Sequence, residues 1–316
     1  GLVCLPFLSV FVLQPGYSTL KSGVRLLTQP LTQTTKQTKT RKTTEKHKLQ
    51  ASSSSSTYLL TMANRASTIV FGGRGFVGAA VCRELVKRGA GPVVAVGRSS
   101  NPGPGGDLGP HVEAKGGIDA FKPESYEKLL ESARAVVISV GEAPWAEKVW
   151  GSKDQAKKMN GLSNVRILQA AAEAKVPRVI LVNATMPQWG LIAGYREGKE
   201  MAREEAKRYT EKSGLGDKGC TVLVLKPAVI TGTRYVGSIP LPLNLVMGPM
   251  RFVMKCLKGP CSWLESTFPS VFGGLLRPAV WVDEMAAAAA DVVQSEDLKG
   301  LQEMDPDTLV GYQSSK

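Results

Sequence analysis

Tyr195 and Lys199 are the two residues whose types and spacing most directly suggest proton chemistry. They stand four positions apart in a stretch with helical periodicity, so both side chains fall on one face of a helix. An ammonium group beside a phenol stabilises the phenolate, which predicts a lowered pKa for Tyr195 and a useful acid or base. Because many charged helices contain this spacing, its meaning depends on the elements around it.

The other reactive residue types exclude several kinds of site. Only His47 and His111 occur among the 316 residues, so a catalytic triad or a histidine metal cage would depend on His111. The five cysteines are scattered, and no two of them form a CxxC pair. This distribution argues against a disulfide framework and against zinc, so no metal site is expected.

A glycine cluster after a short apolar run predicts a phosphate-binding turn. Residues 68–71 read TIVF, and Gly73, Gly75 and Gly78 follow with the spacing GxGxxG before a helical pattern over 76–89. Between a strand and a helix, such glycines allow a tight turn and close approach of a pyrophosphate. The N–H groups that open the helix then face the phosphates. A glycine turn without a ligand is the alternative interpretation.

The end of the second predicted strand bears on the choice of dinucleotide. NAD sites usually place an acidic residue there to bind the ribose 2′-hydroxyl, but residues 85–106 contain none. Arg98 and Ser99 follow the strand at 92–96 instead, and Arg74 lies in the glycine turn. Since an arginine can pair with a 2′-phosphate, the sequence favours NADP(H) over NAD(H).

Strand and helix patterns alternate along the body of the chain, residues 67–296. Apolar runs such as VVAV, AVVISV, RVILV and TVLVL suit parallel strands that are buried on both faces, and helical patterns separate them. The sequence therefore predicts an α/β fold with a doubly wound parallel sheet. Asp119, which follows the third strand, is expected either to contact the adenine or to serve only as a turn residue. The predicted strands are 68–71, 92–96, 111–114, 135–140, 178–183 and 221–225, and the predicted helices are 76–89, 123–132, 154–174, 195–212 and 280–293.

The C-terminal third adds an apolar segment and a polar end. Residues 241–276 are rich in Met and aromatic residues, and Arg251, Lys255 and Lys258 form a basic stripe at helical spacing. This pattern fits a small apolar lid at about 235–278, a helix lying on a membrane surface, or a helix docked on a partner. A lid of this kind would suit a hydrophobic or prenyl-lipid ligand. The last twenty residues are polar and are expected to fray.

The first 66 residues differ in composition from the rest. They hold nine of the 40 Lys and Arg residues but only one of the 27 Asp and Glu residues. The net charge is therefore +8 in this segment and +5 in the remainder. A composition rich in Ser, Thr, Lys and Arg with almost no acidic residues is typical of a transit peptide. A disordered tail without a targeting signal is the alternative. We expect a mitochondrial location, with the plastid as alternative, or the cytoplasm if translation starts at Met62.

The same distribution of charge and hydropathy excludes two further classes of protein. A body with a charge of only +5 argues against a nucleic-acid partner. Because no run of 18 or more uninterrupted apolar residues occurs, no transmembrane helix is expected.

The order of the motifs resembles that of the atypical short-chain dehydrogenases/reductases, which are NAD(P)-binding Rossmann-fold proteins. GGRGFVG, VGRSS, AVVISVGE, MNGLSN, RVILVNAT, YREGK and VLKPAVITG follow one another over roughly residues 67–293. The branch that it resembles holds the Rossmann accessory subunit of mitochondrial complex I, the dehydrogenase-like protein of the coenzyme Q biosynthetic complex, and plastid relatives. With the resemblance, the expected cofactor-binding residues are Gly72, Gly73, Arg74, Gly75, Phe76, Val77, Gly78, Arg98, Ser99, Asp119, Gly141, Lys199 and Pro227.

The resemblance also implies catalytic roles. Tyr195 and Lys199 match the active pair, and Asn160 matches an asparagine that supports a proton-relay water in active members. Where the family usually has a serine that polarises the carbonyl, this chain offers Thr185 or Asn183. Two functions follow: an NADP(H)-dependent oxidoreductase acting on a hydrophobic carbonyl or quinone-related compound, or a non-catalytic nucleotide-binding subunit of a membrane-bound respiratory or coenzyme Q complex.

Overall fold

Seven parallel strands form the central sheet. The computed structural model describes residues 66–99, 108–144, 152–236 and 239–313; the predicted targeting segment and most of the predicted loop at 99–110 lie outside these ranges. The strands of the described part are β1 (Ser67–Phe71), β2 (Val93–Val96), β3 (Val112–Lys115), β4 (Ala133–Ile138), β5 (Arg178–Val182), β6 (Thr221–Leu225), β7 (Ile230–Thr231), β8 (Thr233–Val236), β9 (Ile239–Pro242), β10 (Val280–Trp281) and β11 (Gly300–Met304).

The winding of the sheet reverses between β1 and β4. The strand order is β11-β6-β5-β4-β1-β2-β3, so the chain moves outward from β1 to β3 and then returns to pair β4 with the other side of β1. Such a reversal opens a crevice at the carboxyl ends of the two central strands. This order confirms the predicted doubly wound α/β fold of the Rossmann type.

Helices cover both faces of this sheet. A π-helical segment, Lys158–Leu162, interrupts the single helix predicted at 154–174, and the helix predicted at 195–212 ends early and is followed by a short one. The helices of the described part are α1 (Phe76–Lys87), α2 (Glu127–Glu131), α3 (Lys153–Lys157), α4 (Ser163–Glu173), α5 (Ala193–Lys207), α6 (Tyr209–Lys212), α7 (Gly216–Gly219), α8 (Leu243–Cys256), α9 (Lys258–Thr267), α10 (Pro269–Phe272), α11 (Val282–Gln294) and α12 (Pro306–Leu309).

Two buried apolar clusters lie on opposite faces of the sheet. Successive residues of a strand point to opposite faces, so Val70 of β1 packs with α1 and α11 while its neighbours Ile69 and Phe71 pack with α4 and α5. The same alternation holds in β4, where Val137 joins the first cluster and Val136 the second. Burial on both faces explains the continuous apolar runs in the sequence.

The C-terminal residues correct the prediction of a frayed polar tail. β11 pairs in parallel with β6 from Gly300 to Met304 and forms an edge of the sheet. Its polar composition is tolerated because Glu303 accepts two hydrogen bonds from the guanidinium of Arg203 on α5, at 2.8 and 2.9 Å. Ion pairing therefore holds a strand that lacks the apolar pattern from which the other strands were predicted.

The apolar segment predicted as a lid forms helices α8, α9 and α10 between β9 and β10. The predicted basic stripe is wrong for Arg251, because this side chain is buried and forms an ion pair with Glu284 of α11. Within the described ranges, none of the helices combines the length and the apolar character that crossing a bilayer requires.

Candidate functional site

The glycine turn joins β1 to α1 at the reversal of the sheet. Gly72 adopts a φ of 71°, a backbone conformation that side chains with a Cβ disfavour. A Cβ on Gly78 would lie 2.8 Å from the carbonyl carbon of Gly72 and 2.6 Å from Oγ of Ser139. Because the turn has no room for these atoms, the N-terminus of α1 can pack directly against β1 and the end of β4.

The other two glycines of the spacing, Gly73 and Gly75, add no side-chain atoms to the turn. Gly73 is buried where a Cβ would touch Ala95 of β2, and Gly75 is the N-cap residue of α1, with its N–H donating to the Gly72 carbonyl at 2.8 Å. The first turn of α1 carries no acidic residue. The positive end of the helix dipole is thus not offset, and the turn fits a pyrophosphate.

Ser139 was missed by the sequence reasoning, although it lies within the AVVISVGE motif. Its hydroxyl donates to the carbonyl of Phe71 at 2.9 Å, and its N–H donates to the same carbonyl at 3.0 Å. These bonds fasten the loop after β4 to the end of β1, directly beneath the glycine turn. A polar residue at the end of a buried strand was the available signal.

Two arginines lie at the edge of the turn that faces β2. The guanidinium of Arg74 donates to the carbonyl of Ser99, which joins the glycine turn to the segment after β2. Arg98 is exposed, and its carbonyl accepts the N–H of Gly117 at 3.1 Å, which joins this segment to the end of β3. The structure therefore joins Arg74 to Ser99, the chain neighbour of Arg98, and the role of these residues in binding a dinucleotide stays a prediction.

Asp119 forms a turn of its own after β3. Its Oδ1 accepts the N–H of Phe121 at 3.0 Å, and its own N–H donates to Oγ of Ser125 at 3.2 Å. A carboxylate that accepts the N–H two residues further on is typical of an Asx turn. These bonds favour the second of the two roles expected for Asp119.

Phe76 and Val77 begin α1 and point toward apolar neighbours. A Cβ on Gly232 would lie 3.1 Å from Cζ of Phe76, so the ring covers the link between β7 and β8. Both residues are half-buried against the apolar cluster on the α1 face of the sheet. Of the residues in the motif, these two position α1 by packing.

Close contacts between helices position the tyrosine–lysine pair. A Cβ on Gly194 would lie 2.8 Å from the carbonyl carbon of Lys153, and one on Gly161 would lie 2.8 Å from Cα of Gly198. Gly194 and Gly198 directly precede the two members of the pair, so α5 approaches α3 and the π-helical segment along the side next to them. The GxxxG spacing inside GYREGK was the signal for this contact, and it was not used.

Lys199 is buried, and its ammonium is held by main-chain oxygen. Nζ donates to the carbonyl of Val182, at the end of β5, at 3.0 Å. It lies 5.8 Å from the centre of the Tyr195 ring. Burial lowers the pKa of Lys199 to about 8, because the charged form loses its hydration. A Cβ on Gly141 would lie 3.6 Å from Nζ, so the loop after β4 forms the other wall.

The pKa of Tyr195 is shifted in the direction opposite to the prediction. Burial raises the pKa of its phenol above the ordinary value, and the charge of Arg234 on β8 opposes that shift in part. The predicted lowering of this pKa is therefore wrong for the pair as it stands: the ammonium bonds to Val182 and lies over the ring. At neutral pH the phenol keeps its proton. Arg234, the one charged residue in the sequence PAVITGTRYVG, was missed by the sequence reasoning.

Asn160 lies in the π-helical segment and is fully buried. Its Nδ2 donates to the carbonyl of Ala156 at 3.0 Å, and its Oδ1 accepts the N–H of Glu142 at 3.1 Å. Its main-chain carbonyl accepts Nδ2 of Asn164 at 2.8 Å. A Cβ on Gly141 would lie 2.5 Å from Oδ1. Asn160 therefore holds the loop after β4 against the helix, and its relay role stays a prediction.

Thr185 and Asn183 follow β5 and bond to main-chain atoms. The Thr185 hydroxyl donates to the Lys226 carbonyl at 2.9 Å, and the Thr185 N–H donates to the carbonyl of Pro227 at 2.8 Å. Nδ2 of Asn183 donates to the Lys199 carbonyl at 3.0 Å. A carbonyl-polarising group must donate a proton to substrate, and the hydroxyl proton of Thr185 is engaged. The structure places Thr185 against the segment that follows β6, with its hydroxyl proton donated to the main chain and not to a substrate position.

Comparisons with known proteins agree with this geometry. The profile of a family described as NAD(P)H-binding matches residues 72–231. An uncharacterized chloroplastic protein of Arabidopsis thaliana is 31% identical over 244 residues, covering 74% of this chain and 73% of its own length. MIOREX complex component 2 of Saccharomyces cerevisiae is 40% identical over 77 residues, 23% of this chain and 27% of its own length.

Solved structures share the fold at low identity. UDP-glucose 4-epimerase of Bifidobacterium longum, in complex with NAD+ and UDP, superposes with a TM-score of 0.52 and 15% identity over 76% of this chain and 77% of its own. The UDP-glucose 4-epimerase of Thermotoga maritima, with UDP-glucose, superposes with a TM-score of 0.52 and 16% identity. The match covers 75% of this chain and 76% of that protein. At this identity the likeness concerns the fold alone.

Proposed function

The chain belongs to the NAD(P)H-binding family of Rossmann-fold proteins, and from this premise we propose that it uses NADP(H) to reduce a hydrophobic carbonyl compound. The observation that carries the proposal is the burial of Tyr195 and Lys199 side by side, with Lys199 against the loop that follows β4. That loop begins at the strand pair where the winding of the sheet reverses, and a dinucleotide binds at such a reversal.

The phosphate and ribose ends of the site support the preference for NADP(H). Gly72, Gly75 and Gly78 would hold the pyrophosphate, since they bring no side chains of their own to the turn and the first turn of α1 carries no acidic residue. Arg98, with Arg74 close by, would pair with the 2′-phosphate that distinguishes NADP(H) from NAD(H).

The titration of the pair favours reduction over oxidation. Reduction of a carbonyl adds a hydride to carbon and a proton to oxygen, and a bound nicotinamide supplies the hydride. Tyr195 would supply the proton, because its raised pKa keeps the phenol protonated at neutral pH. Lys199, with a pKa of about 8, is mostly charged at that pH and would stabilise the phenolate left behind.

The neighbourhood of Thr185 supports an apolar substrate. A Cβ on Gly274, just after α10, would lie 2.6 Å from Cγ2 of Thr185, so the apolar segment predicted as a lid touches the loop that carries Thr185. Nε1 of Trp189 donates to the carbonyl of Val271 at 2.9 Å and fastens the same contact. Quinone-related and other prenyl-lipid carbonyl compounds are the substrate class to test first. The resemblance in sequence connects this class with coenzyme Q metabolism.

A non-catalytic accessory role in a membrane-bound respiratory complex is the second candidate. The hydroxyl proton of Thr185 and the amide of Asn160 are engaged with main-chain atoms, as in a protein that grips a dinucleotide without turnover. The yeast relative, named as a component of the MIOREX complex, supports membership of an assembly.

Dinucleotide titration and a turnover assay separate these functions. NADPH and NADH are titrated against the purified full chain, and NADPH oxidation is then followed with a short-chain quinone and with an apolar ketone. Arg98→Ala should weaken NADPH binding about tenfold and leave NADH unchanged, whereas Arg83→Ala, an exposed arginine of α1, should change neither. If neither nucleotide binds, both functions are refuted.

Substitution of Tyr195 tests the oxidoreductase function. Tyr195→Phe should lower turnover about a hundredfold or more with nucleotide affinity retained, while Tyr235→Phe on the exposed side of β8 should keep full activity. Nucleotide binding without turnover in any variant would establish the accessory role instead.

We propose a mitochondrial location, carried by residues 1–66, with the plastid as alternative. A fusion of residues 1–66 to a fluorescent reporter tests it. Co-localisation with a mitochondrial marker supports the proposal, and a diffuse cytosolic signal contradicts it.

A further inference from the structure

Helices α8 and α9 turn their paired charges inward. Arg251 of α8 is 8% exposed, and its guanidinium donates to both carboxylate oxygens of Glu284, at 2.7 and 2.6 Å. Glu265 of α9 is 7% exposed; it accepts the N–H of Leu276 at 3.2 Å and pairs with Arg277. Each helix is thus anchored to the body of the protein by an ionised side chain.

The opposite sides of these helices present apolar side chains to solvent. Along α8, Leu245, Pro249, Phe252 and Cys256 follow at the spacing of one helix face, and all four are exposed. Leu245 is 71% exposed and Phe252 70%, and Trp263 of α9 is 63% exposed. The polarity is the reverse of an ordinary surface helix, and such apolar exposure marks an interaction site.

The charges that remain on this surface are of one sign. Residues 239–276 contain four charged side chains, of which Arg251 and Glu265 are the inward ones. The other two, Lys255 and Lys258, are exposed at the junction of α8 and α9. No carboxylate accompanies them on the outward side of this segment.

We propose that this apolar face, defined by Leu245, Phe252 and Trp263 with Lys255 and Lys258, docks on the surface of an anionic lipid bilayer. Aromatic and aliphatic side chains beside lysines are the composition of helices that lie in the interface of a membrane. Lysines near anionic headgroups add attraction. A second copy of the chain fits less well, because a two-fold axis would bring lysine-bearing faces together without an acid to pair with them.

Vesicle sedimentation with matched variants of the full chain tests the docking. The wild type should sediment with phosphatidylcholine vesicles that contain phosphatidylserine, and more weakly with phosphatidylcholine alone. Leu245→Ser should weaken binding about tenfold, whereas Leu301→Ser, an exposed leucine on β11, should not. All variants share the basic N-terminal segment, so any affinity of that segment is the same in each.

The lysines are tested in the same way. Lys255→Gln with Lys258→Gln should lose roughly fivefold in affinity for each lysine, while Lys218→Gln with Lys299→Gln, exposed lysines elsewhere, should bind as the wild type does. Equal losses in target and control variants, or no sedimentation with anionic vesicles, would overturn the proposal.

Tryptophan quenching locates the contact. Lipids brominated in their acyl chains should quench part of the fluorescence, and Trp263→Phe should remove that part while sedimentation persists. Light scattering supplies the last check: if Leu245→Ser turns a dimer into a monomer and leaves vesicle binding intact, the face belongs to a second copy.

Discussion

Replacing Gly78 with alanine tests the close packing that forms the phosphate turn. The new Cβ would stand 2.6 Å from Oγ of Ser139 and 2.8 Å from the carbonyl carbon of Gly72, where non-bonded carbons prefer about 3.5–4.0 Å. Since one neighbour is backbone, the turn must shift by several tenths of an ångström. Overpacking of this kind costs about 1–3 kcal/mol, offset by about 0.5–1 kcal/mol for alanine in a helix. We expect a net loss of roughly 1–2 kcal/mol in the free energy of unfolding.

Gly248→Ala is the matched control for this variant. Gly248 also lies inside a helix, α8, but a Cβ there would meet nothing within 4 Å. The added methyl therefore overlaps no other element, and because its helical preference is offset by crowding against the ring of Pro249, which follows directly, the stability should change little. Denaturant unfolding measures both, and NADPH titration should show about tenfold weaker binding for Gly78→Ala, the equivalent of about 1.4 kcal/mol. Equal stability and equal affinity in the two variants would refute the packing argument.

Three further predictions concern buried and paired charges. Between pH of about 8 and 10.5 the unfolded chain retains a proton that folded Lys199 has lost, so this residue makes the free energy of unfolding rise with pH there; Lys199→Met should flatten that rise. Glu303, whose pKa is lowered to about 2 chiefly by Arg203, should contribute stability that is present above pH 4.5 and lost toward pH 2; Glu303→Gln should remove this dependence in acid titrations of unfolding. Arg251→Leu leaves Glu284 without its partner and should cost roughly 3 kcal/mol in thermal denaturation.

The central elements could be predicted from sequence because their signals are local. The apolar run TIVF, the glycines and the helical pattern after them form consecutive units, and the structure has β1, the turn and α1 there. β11 could not be found in this way, since GLQEM shows neither an apolar run nor alternation. Its place in the sheet rests on contacts with distant parts of the chain, the backbone of β6 and the guanidinium of Arg203, which lies 100 residues before Glu303.

The proximity of Tyr195 and Lys199 could be predicted from the sequence, but their electrostatics could not. The spacing of Tyr195 and Lys199 places them on one helix face whatever the fold, and the structure has them so. The direction in which the pKa of Tyr195 shifts depends on its burial and on the group that binds the Lys199 ammonium. That partner is the carbonyl of Val182, on a different strand, and no local pattern indicates it.

Lys226 connects the strand that the sequence missed to the wall of the site. Its N–H donates to the carbonyl of Met304 at 2.9 Å, and its ammonium lies 2.8 Å from Glu303, both on β11. Its own carbonyl accepts the hydroxyl of Thr185 at 2.9 Å. The bond that engages the Thr185 proton is therefore held in place by the edge strand. Whether Thr185 can turn toward a substrate depends on how firmly β11 fixes this one carbonyl, and the C-terminal strand thereby bears on the difference between an enzyme and a nucleotide-binding subunit.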